Sequence, residues 1–223
     1  MRRLRYETHE YLLETFEFDR FQGKRILEIG CGGGIDTIEF ARGGAIVTAT
    51  DLTEQAIRQT RALANSLNFD VETRVADVCS LPFNDESFDH VCAIGVLHHV
   101  PEIKDAVREI HRVLKRGGTT YVLLYHRHSL LYYYSIIFLR GILQGDFKHF
   151  TEEALLSKYS EGQIGCPYTR VYTVDEVKEL FRDFHLLSLT IHHNVYDSLK
   201  QRKVKFVGPS HLGWHLIIKV RKP

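Results

Sequence analysis

Five consecutive residues, Gly30-Cys31-Gly32-Gly33-Gly34, end the apolar run Arg25-Ile26-Leu27-Glu28-Ile29 and are followed from Ile35 by a segment of helical periodicity. Glycines at such a junction let a backbone pass close to a ligand, and the free amides of a helix start favour a bound anion or carboxylate. The next apolar run ends in an acid, Asp51, at the position suited to accept hydrogen bonds from a ribose diol. Together these residues point to a nucleotide-type ligand. The plainer alternative is a structural turn.

The details separate the nucleotides. A dinucleotide fingerprint starting at Gly30 calls for glycine at position 35, where this chain has Ile35, so a pyrophosphate site is disfavoured. A triphosphate-cradling loop ends in Gly-Lys-Ser/Thr, and Gly34-Ile35-Asp36 supplies neither the lysine nor the hydroxyl. Glu28 and Asp36 flank the turn and Asp77 follows the third run. Acids so placed repel a polyphosphate and tolerate a sulfonium and an ammonium group.

Histidines offer a second kind of chemistry. His98 and His99 follow the fourth apolar run, His126 ends the fifth, and His128 and Tyr132-Tyr133-Tyr134 lie beyond. With a near-neutral reference pKa, any of the histidines is a candidate general base. Equally, one of such a pair can simply orient a loop. No metal site is expected: the histidines read as scattered, and His192-His193 has no carboxylate set at ligand spacing. Cys31, Cys79, Cys92 and Cys166 form no CxxC pair, which fits reduced thiols and a cytoplasmic setting.

These residues need a scaffold, and the chain reads as alternating elements. A short helix over Tyr6 to Phe18, with Leu12, Leu13 and Phe16 on one period, lies outside the main sheet. Strands are expected at Arg25–Ile29, Ala45–Thr50, Val71–Val75, Phe88–Ile94 and Thr120–Tyr125. Helices are expected from Ile35 to Ala41, from the Thr53 cap to Leu67, and through Ile103, Val107, Ile110 and Leu114, the last ended by Gly117-Gly118. Short, nearly unbroken apolar strands alternating with helices argue a parallel sheet covered on both faces and doubly wound. Thr173 and Glu176 form a capping box before Val177, Leu180, Phe181 and Phe184. Strands at Leu186–Ile191 and Trp214–Val220 then close the chain as an antiparallel pair. The fold class is therefore α/β, with a doubly wound, mainly parallel, seven-stranded sheet and an antiparallel last strand.

Length, 223 residues, suits one domain. Within it, 1–22 forms an N-terminal helical segment and about 127–172 an aromatic-rich, lid-like insertion holding one or two helices. A net charge of +1 supplies no field for steering onto nucleic acid, so none is expected as a partner. The N-terminal stretch carries Glu7, Glu10, Glu14 and Glu17 and has no apolar core, which argues against a secretory signal. Ser129 to Leu143 is broken by Arg140 and Gly141 and is too short to span a bilayer; contact with a membrane surface or a partner is an alternative to the lid.

The run Ile26 to Gly34 resembles the first motif of class I S-adenosylmethionine-dependent methyltransferases, within the group that includes ubiquinone and menaquinone biosynthesis enzymes. The resemblance continues through Asp51, Ala76–Phe83 with Phe88-Asp89, Gly95–Val100 and Glu109–Gly118. It implies a Rossmann-like methyltransferase fold with S-adenosyl-L-methionine as cofactor. By the same resemblance Glu28 would orient the turn and approach the cofactor's amino group, beside a backbone wall of Gly30, Cys31 and Gly32. Asp51 would hold the ribose, Leu52 would lie against adenine, and Asp77 and Val78 would meet the adenine edge. Gly95 to His99 would line the methionine and substrate side.

The expected reaction is methyl transfer to a small apolar or aromatic acceptor, with oxygen slightly favoured over nitrogen or carbon. An NAD-dependent oxidoreductase and a non-catalytic binding or scaffold protein are the alternatives.

Overall fold

β-Branched and aliphatic residues dominate the strands, and in the computed structural model they assemble one sheet with apolar side chains on both faces. The structure describes residues 5–7, 9–160, 168–192, 196–198, 202–204 and 210–223. Strands β1 (Arg25–Ile29), β2 (Ile46–Asp51), β3 (Val71–Val75), β4 (Phe88–Ile94), β5 (Leu114–Tyr125), β6 (His185–His192) and β9 (His215–Arg221) form it in the order β3-β2-β1-β4-β5-β9-β6. β1 pairs in parallel with β2 and β4, β2 with β3, and β4 with β5, while β9 runs antiparallel to both β5 and β6. The doubly wound sheet is as expected, and its antiparallel strand sits between two parallel ones. A hairpin of β7 (Tyr196–Ser198) and β8 (Arg202–Val204) precedes β9; the sequence reading had no strand there.

Alternation along the strands sends side chains into two cores. Leu27, Val122, Leu124, Leu216 and Ile218 join one, with helix Ile103–Val113 and with Val177, Phe181 and Phe184. Ile26, Tyr121, Leu123 and Ile217 join the other, with Phe16, Phe18, Phe21 and Phe40. Each fully buried aliphatic or aromatic side chain contributes roughly 1.5–3 kcal/mol, so the two layers dominate the stability of the sheet.

Several boundaries differ from expectation. The expected single helix over Tyr6–Phe18 is instead helical residues 5–7, a helix Tyr11–Phe16 and a 3₁₀ turn Phe18–Phe21, the last two separated by Glu17 at φ +49°. Phe16, Phe18 and Phe21 pack this segment onto the sheet, and Leu13 is exposed. Helix Glu54–Ser66 stops before Leu67, which is also exposed. Helix Ile103–Val113 ends four residues before Gly117, because Leu114 already pairs with Phe88 as β5 begins. The capping box at Thr173 is present, starting helix Val174–Leu180.

The aromatic insertion holds a π-helix, Leu131–Leu143, and a helix, Glu152–Ser160. Tyr132, Ile136, Leu155 and Leu156 gather on Val171 and Trp214, with Tyr125 against them. Residues 161–167, with Cys166, and His193 lie outside the described residues. Among the described residues no helix is long and apolar enough to cross a membrane.

Candidate active site

β1 and its parallel neighbours all end at one edge of the sheet, and the strand order reverses at β1, which is where open α/β sheets form their crevice. The glycine turn leaves β1 at this point. Gly30, at φ +72°, passes so close to Val96 that a Cβ would collide with it, so the turn and the exit of β4 are pressed together. Gly34, at φ +78°, lies against Thr60, whose Cα would be 2.9 Å from an added Cβ. Between these two contacts, Cβ atoms at Gly32 and Gly33, and at Gly95 across the crevice, would meet nothing within 4 Å. That is the shape of a cradle for a ligand.

The turn's amides are largely engaged within the protein. Gly30 N and Cys31 N donate to Thr50 O at 2.7 and 2.9 Å, Gly34 N donates to Cys31 O at 2.8 Å, and Gly32 N donates to Asp51 Oδ2 at 3.1 Å. A pyrophosphate would need those donors, so the turn suits a ligand without one. Asp51 also accepts from Thr53 N and Thr53 Oγ1 at 2.9 Å each, which fixes its carboxylate at the end of β2. Beside it Leu52 is 70% exposed, an apolar platform next to a hydrogen-bonding acid. Asp77 lies beyond β3, is exposed and accepts from Cys79 N, while Val78 is buried.

Glu28 is buried behind the turn, where Thr37 donates to its carboxylate; burial, then the nearby Asp36 charge, push its pKa up. Burial likewise pushes the Cys31 thiol up to about 12, so it is no nucleophile near neutrality. Asp36 differs from its expected part as a free acid by the turn. It accepts from Arg5 as a two-oxygen fork and from Tyr6 Oη at 2.6 Å, so its charge is offset. With Glu28 also held towards its neutral form by burial, the electrostatic argument against polyphosphate rests on Asp51 and Asp77.

At the exits of β4 and β5 the histidines separate. His99 Nδ1 lies 2.9 Å from Tyr168 O, and His126 Nδ1 lies 3.0 Å from Gly213 O. His98 is fully buried and stacks on Tyr125 at 3.7 Å between ring centres, and among the described residues neither ring nitrogen has a hydrogen-bond partner. Burial pushes its pKa well down, and that of His126 down, so both rings are neutral near pH 7. His128 is exposed. The chain returning from the insertion enters between the two strand exits: Arg170 N donates to His98 O, Tyr172 N to Tyr125 O, and Arg127 N to Tyr172 O.

Residues 27–122 match the family described as "Methyltransferase domain". They are similar to that family. Around this segment, the chain is 35% identical over 124 residues to a ubiquinone biosynthesis O-methyltransferase of Alkalilimnicola ehrlichii, covering 55% of this chain and 50% of that one. It is 31% identical over 146 residues to the enzyme of the same name from Pseudomonas fluorescens, covering 62% of each. The chain thus spans about half to three fifths of the length of these relatives. A SAM-dependent methyltransferase of Methanosarcina mazei superposes with a TM-score of 0.66 at 24% identity, over 90% of this chain and 93% of that one. A putative methyltransferase of Bacillus halodurans gives 0.68 at 19%, over 96% and 99%. At these identities the superpositions establish the shared Rossmann-like fold, and the family implies S-adenosyl-L-methionine as its cofactor.

The matched segment also contains positioning groups that sequence reading passed over. Arg112 donates to Leu81 O, Phe83 O and Asp85 and pairs with Glu109, which itself accepts from Leu81 N. This clamp fixes the loop that carries Asp77 and Val78. Its sequence signal was the Glu109–Arg112 pair three apart on one helix face.

Proposed function

We propose that this protein transfers the methyl group of S-adenosylmethionine to a hydroxyl of a small acceptor with an apolar or aromatic skeleton. The observation that carries the reading is the glycine cradle at the point of strand reversal, with its amides turned to Thr50 and Asp51 and its open side facing Gly95. Bound there, S-adenosylmethionine supplies an electrophilic methyl for in-line displacement.

The chain's own residues then have distinct tasks. Gly30, Cys31 and Gly32 wall the methionine end in front of Glu28. Asp51 takes the ribose hydroxyls, Leu52 lies on adenine, and Asp77 and Val78 meet its edge. Gly95 to His99 border the reacting side. His98, His99 and His126 are the candidate bases; an Nδ1–H donated to a carbonyl, as the geometry of His99 and His126 allows, leaves Nε2 as the proton acceptor.

Residues 1–223 act as one domain in this reading. The segment 127–172, seated on Tyr125 and Trp214, serves as a lid over the acceptor, and its exposed Tyr133, Tyr134 and Phe138 supply the apolar character. Oxygen as the methylated atom is supported by the names of the relatives. The free thiols Cys31, Cys79 and Cys92 suit a cytoplasmic setting.

Incubation with methyl-labelled S-adenosylmethionine and catechol tests the reaction. Label recovered as an aryl methyl ether supports it; label on carbon or nitrogen of probe acceptors, with none on oxygen, rejects the hydroxyl assignment.

A further inference from the structure

An acceptor hydroxyl must lose its proton as its oxygen attacks the methyl carbon, and a phenol already hydrogen-bonded to an imidazole can pass that proton on. The structure holds such a pair apart from the three histidines at the β4 and β5 exits. Tyr11 Oη, at the start of helix Tyr11–Phe16, is hydrogen-bonded to Nδ1 of His215, the first residue of β9. With the His215 proton on Nε2, the phenol donates to Nδ1 and keeps lone pairs with which to accept from a third group.

Register places the pair at the reacting end of the sheet. Tyr125, His215 and His192 stand side by side across β5, β9 and β6, and the Tyr125 ring stacks on His98, in the segment that follows Gly95. The N-terminal segment runs from Arg5, paired with Asp36 beside the glycine turn, to Tyr11 at the start of β9. In the order β1-β4-β5-β9 it therefore crosses the β4 exit and carries the phenol to the side where an acceptor approaches. Tyr11 is half-buried and lies on the His192 ring at 4.6 Å and 10°. Burial pushes its pKa up, so the phenol works by receiving one proton while it passes on another. Burial also pushes down the pKa of His192 and of His9, whose ring lies 5.4 Å from that of His215, so both neighbours are neutral near pH 7.

We propose that Tyr11 and His215 form the proton relay of the methyl transfer. The proposal rests on the hydroxyl reading above. The acceptor O–H proton passes to Tyr11 Oη as the Tyr11 proton passes to His215 Nδ1; the acceptor oxygen forms its bond to the methyl carbon, and the electron pair of the breaking C–S bond stays on sulfur. A sulfonium charge disappears as an imidazolium charge appears, so the step adds no net charge to a partly desolvated site. Tyr11 touches the acceptor and is the catalytic residue, and His215 acts through it as positioning residue and destination of the proton. The relay takes the proton in place of His98, His99 and His126.

Catechol and tetrafluorocatechol separate a relay from a merely structural contact, because at a pH between their ionisation ranges the first keeps its proton and the second has already lost one. Tyr11→Phe should lower the single-turnover rate with catechol by about 100-fold or more and leave the rate with tetrafluorocatechol and the affinity for S-adenosylhomocysteine close to those of wild type. His215→Asn, which can accept the Tyr11 hydrogen bond but not its proton, should do the same. The fluorine resonances of tetrafluorocatechol bound beside S-adenosylhomocysteine give a readout without turnover: the bound ligand should ionise at lower pH in wild type than in Tyr11→Phe. Equal loss with both acceptors, an unchanged rate with catechol, or the same ionisation of the bound ligand in both proteins overturns the relay. If His215→Asn does not fold, Tyr11→Phe decides by the same criteria. Wild type that binds S-adenosylhomocysteine yet forms an ether from neither catechol overturns the hydroxyl reading itself, and the relay falls with it.

Discussion

Glu28 and Asp51 are short side chains at strand ends, and both could be found in sequence because an acid at that spacing from a glycine cluster has few structural uses. Their surroundings give each a different state: Glu28 is desolvated, whereas Asp51 is held by three hydrogen bonds at a half-exposed edge. Arg5 escaped sequence reading because its partner is 31 positions away, and no local spacing announces such a pair. His90 was also passed over. It is fully buried between Phe21, at 4.0 Å, and Tyr121, and burial pushes its pKa down to about 3. The unfolded chain therefore binds a proton that the folded one refuses. Stability from this group is complete above about pH 6.5 and falls as pH drops toward 3, with a slope of at most about 1.4 kcal/mol per pH unit. His90→Phe should flatten that acid limb in urea titrations between pH 6 and 4; an unchanged slope would show that His90 does not set it.

Elements whose character comes from local pattern were legible: four of the parallel strands lie within a residue of their expected places, the fifth starts early at Leu114, and the Thr53 cap and the Thr173 capping box stand where the sequence placed them. Elements decided by tertiary contact were not. Gly117-Gly118 resembles a helix terminator, yet pairing of Leu114 with Phe88 draws the chain into β5 first. The π-helix has apolar residues around much of its circumference, with Tyr132 and Ile136 buried and Tyr133, Tyr134 and Phe138 exposed, so no single stripe reveals which face packs. The contact of Gly34 with Thr60 likewise needs coordinates. It joins the helix after the turn, Ile35–Arg42, to helix Glu54–Ser66. Gly34→Ala combines a left-handed backbone with that clash and should lower stability by about 1–3 kcal/mol. A thermal melt within a degree of wild type would mean the two helices separate freely, contrary to this packing.

Across the whole molecule, the sheet gathers distant segments at one edge: the N-terminal segment through Arg5 and Tyr11, the glycine turn, the β4 exit at His98, and the returning chain at Arg170 to Tyr172. The doubly wound sheet follows from right-handed crossovers and was readable in advance, and the donor side of the edge came with it. The acceptor side was far less legible, because its aromatic residues pack through a small core of their own on Trp214 and Tyr125. If that insertion covers the acceptor, replacing the exposed Tyr133, Tyr134 and Phe138 with serine should lower kcat/KM for an acceptor at least about 10-fold, a loss of roughly 1.4 kcal/mol of transition-state binding. S-adenosylhomocysteine affinity should stay the same. Equal loss of both, in a folded protein, would remove the lid.

The claim on which every other rests is that the glycine cradle holds a sulfonium nucleoside and not a dinucleotide. Isothermal titration of the full chain with S-adenosylmethionine, S-adenosylhomocysteine and NAD tests it directly. Saturable binding of both sulfur nucleotides, lost on Asp51→Ala and absent for NAD, is the predicted result. Binding of NAD with no heat from either sulfur nucleotide would contradict it.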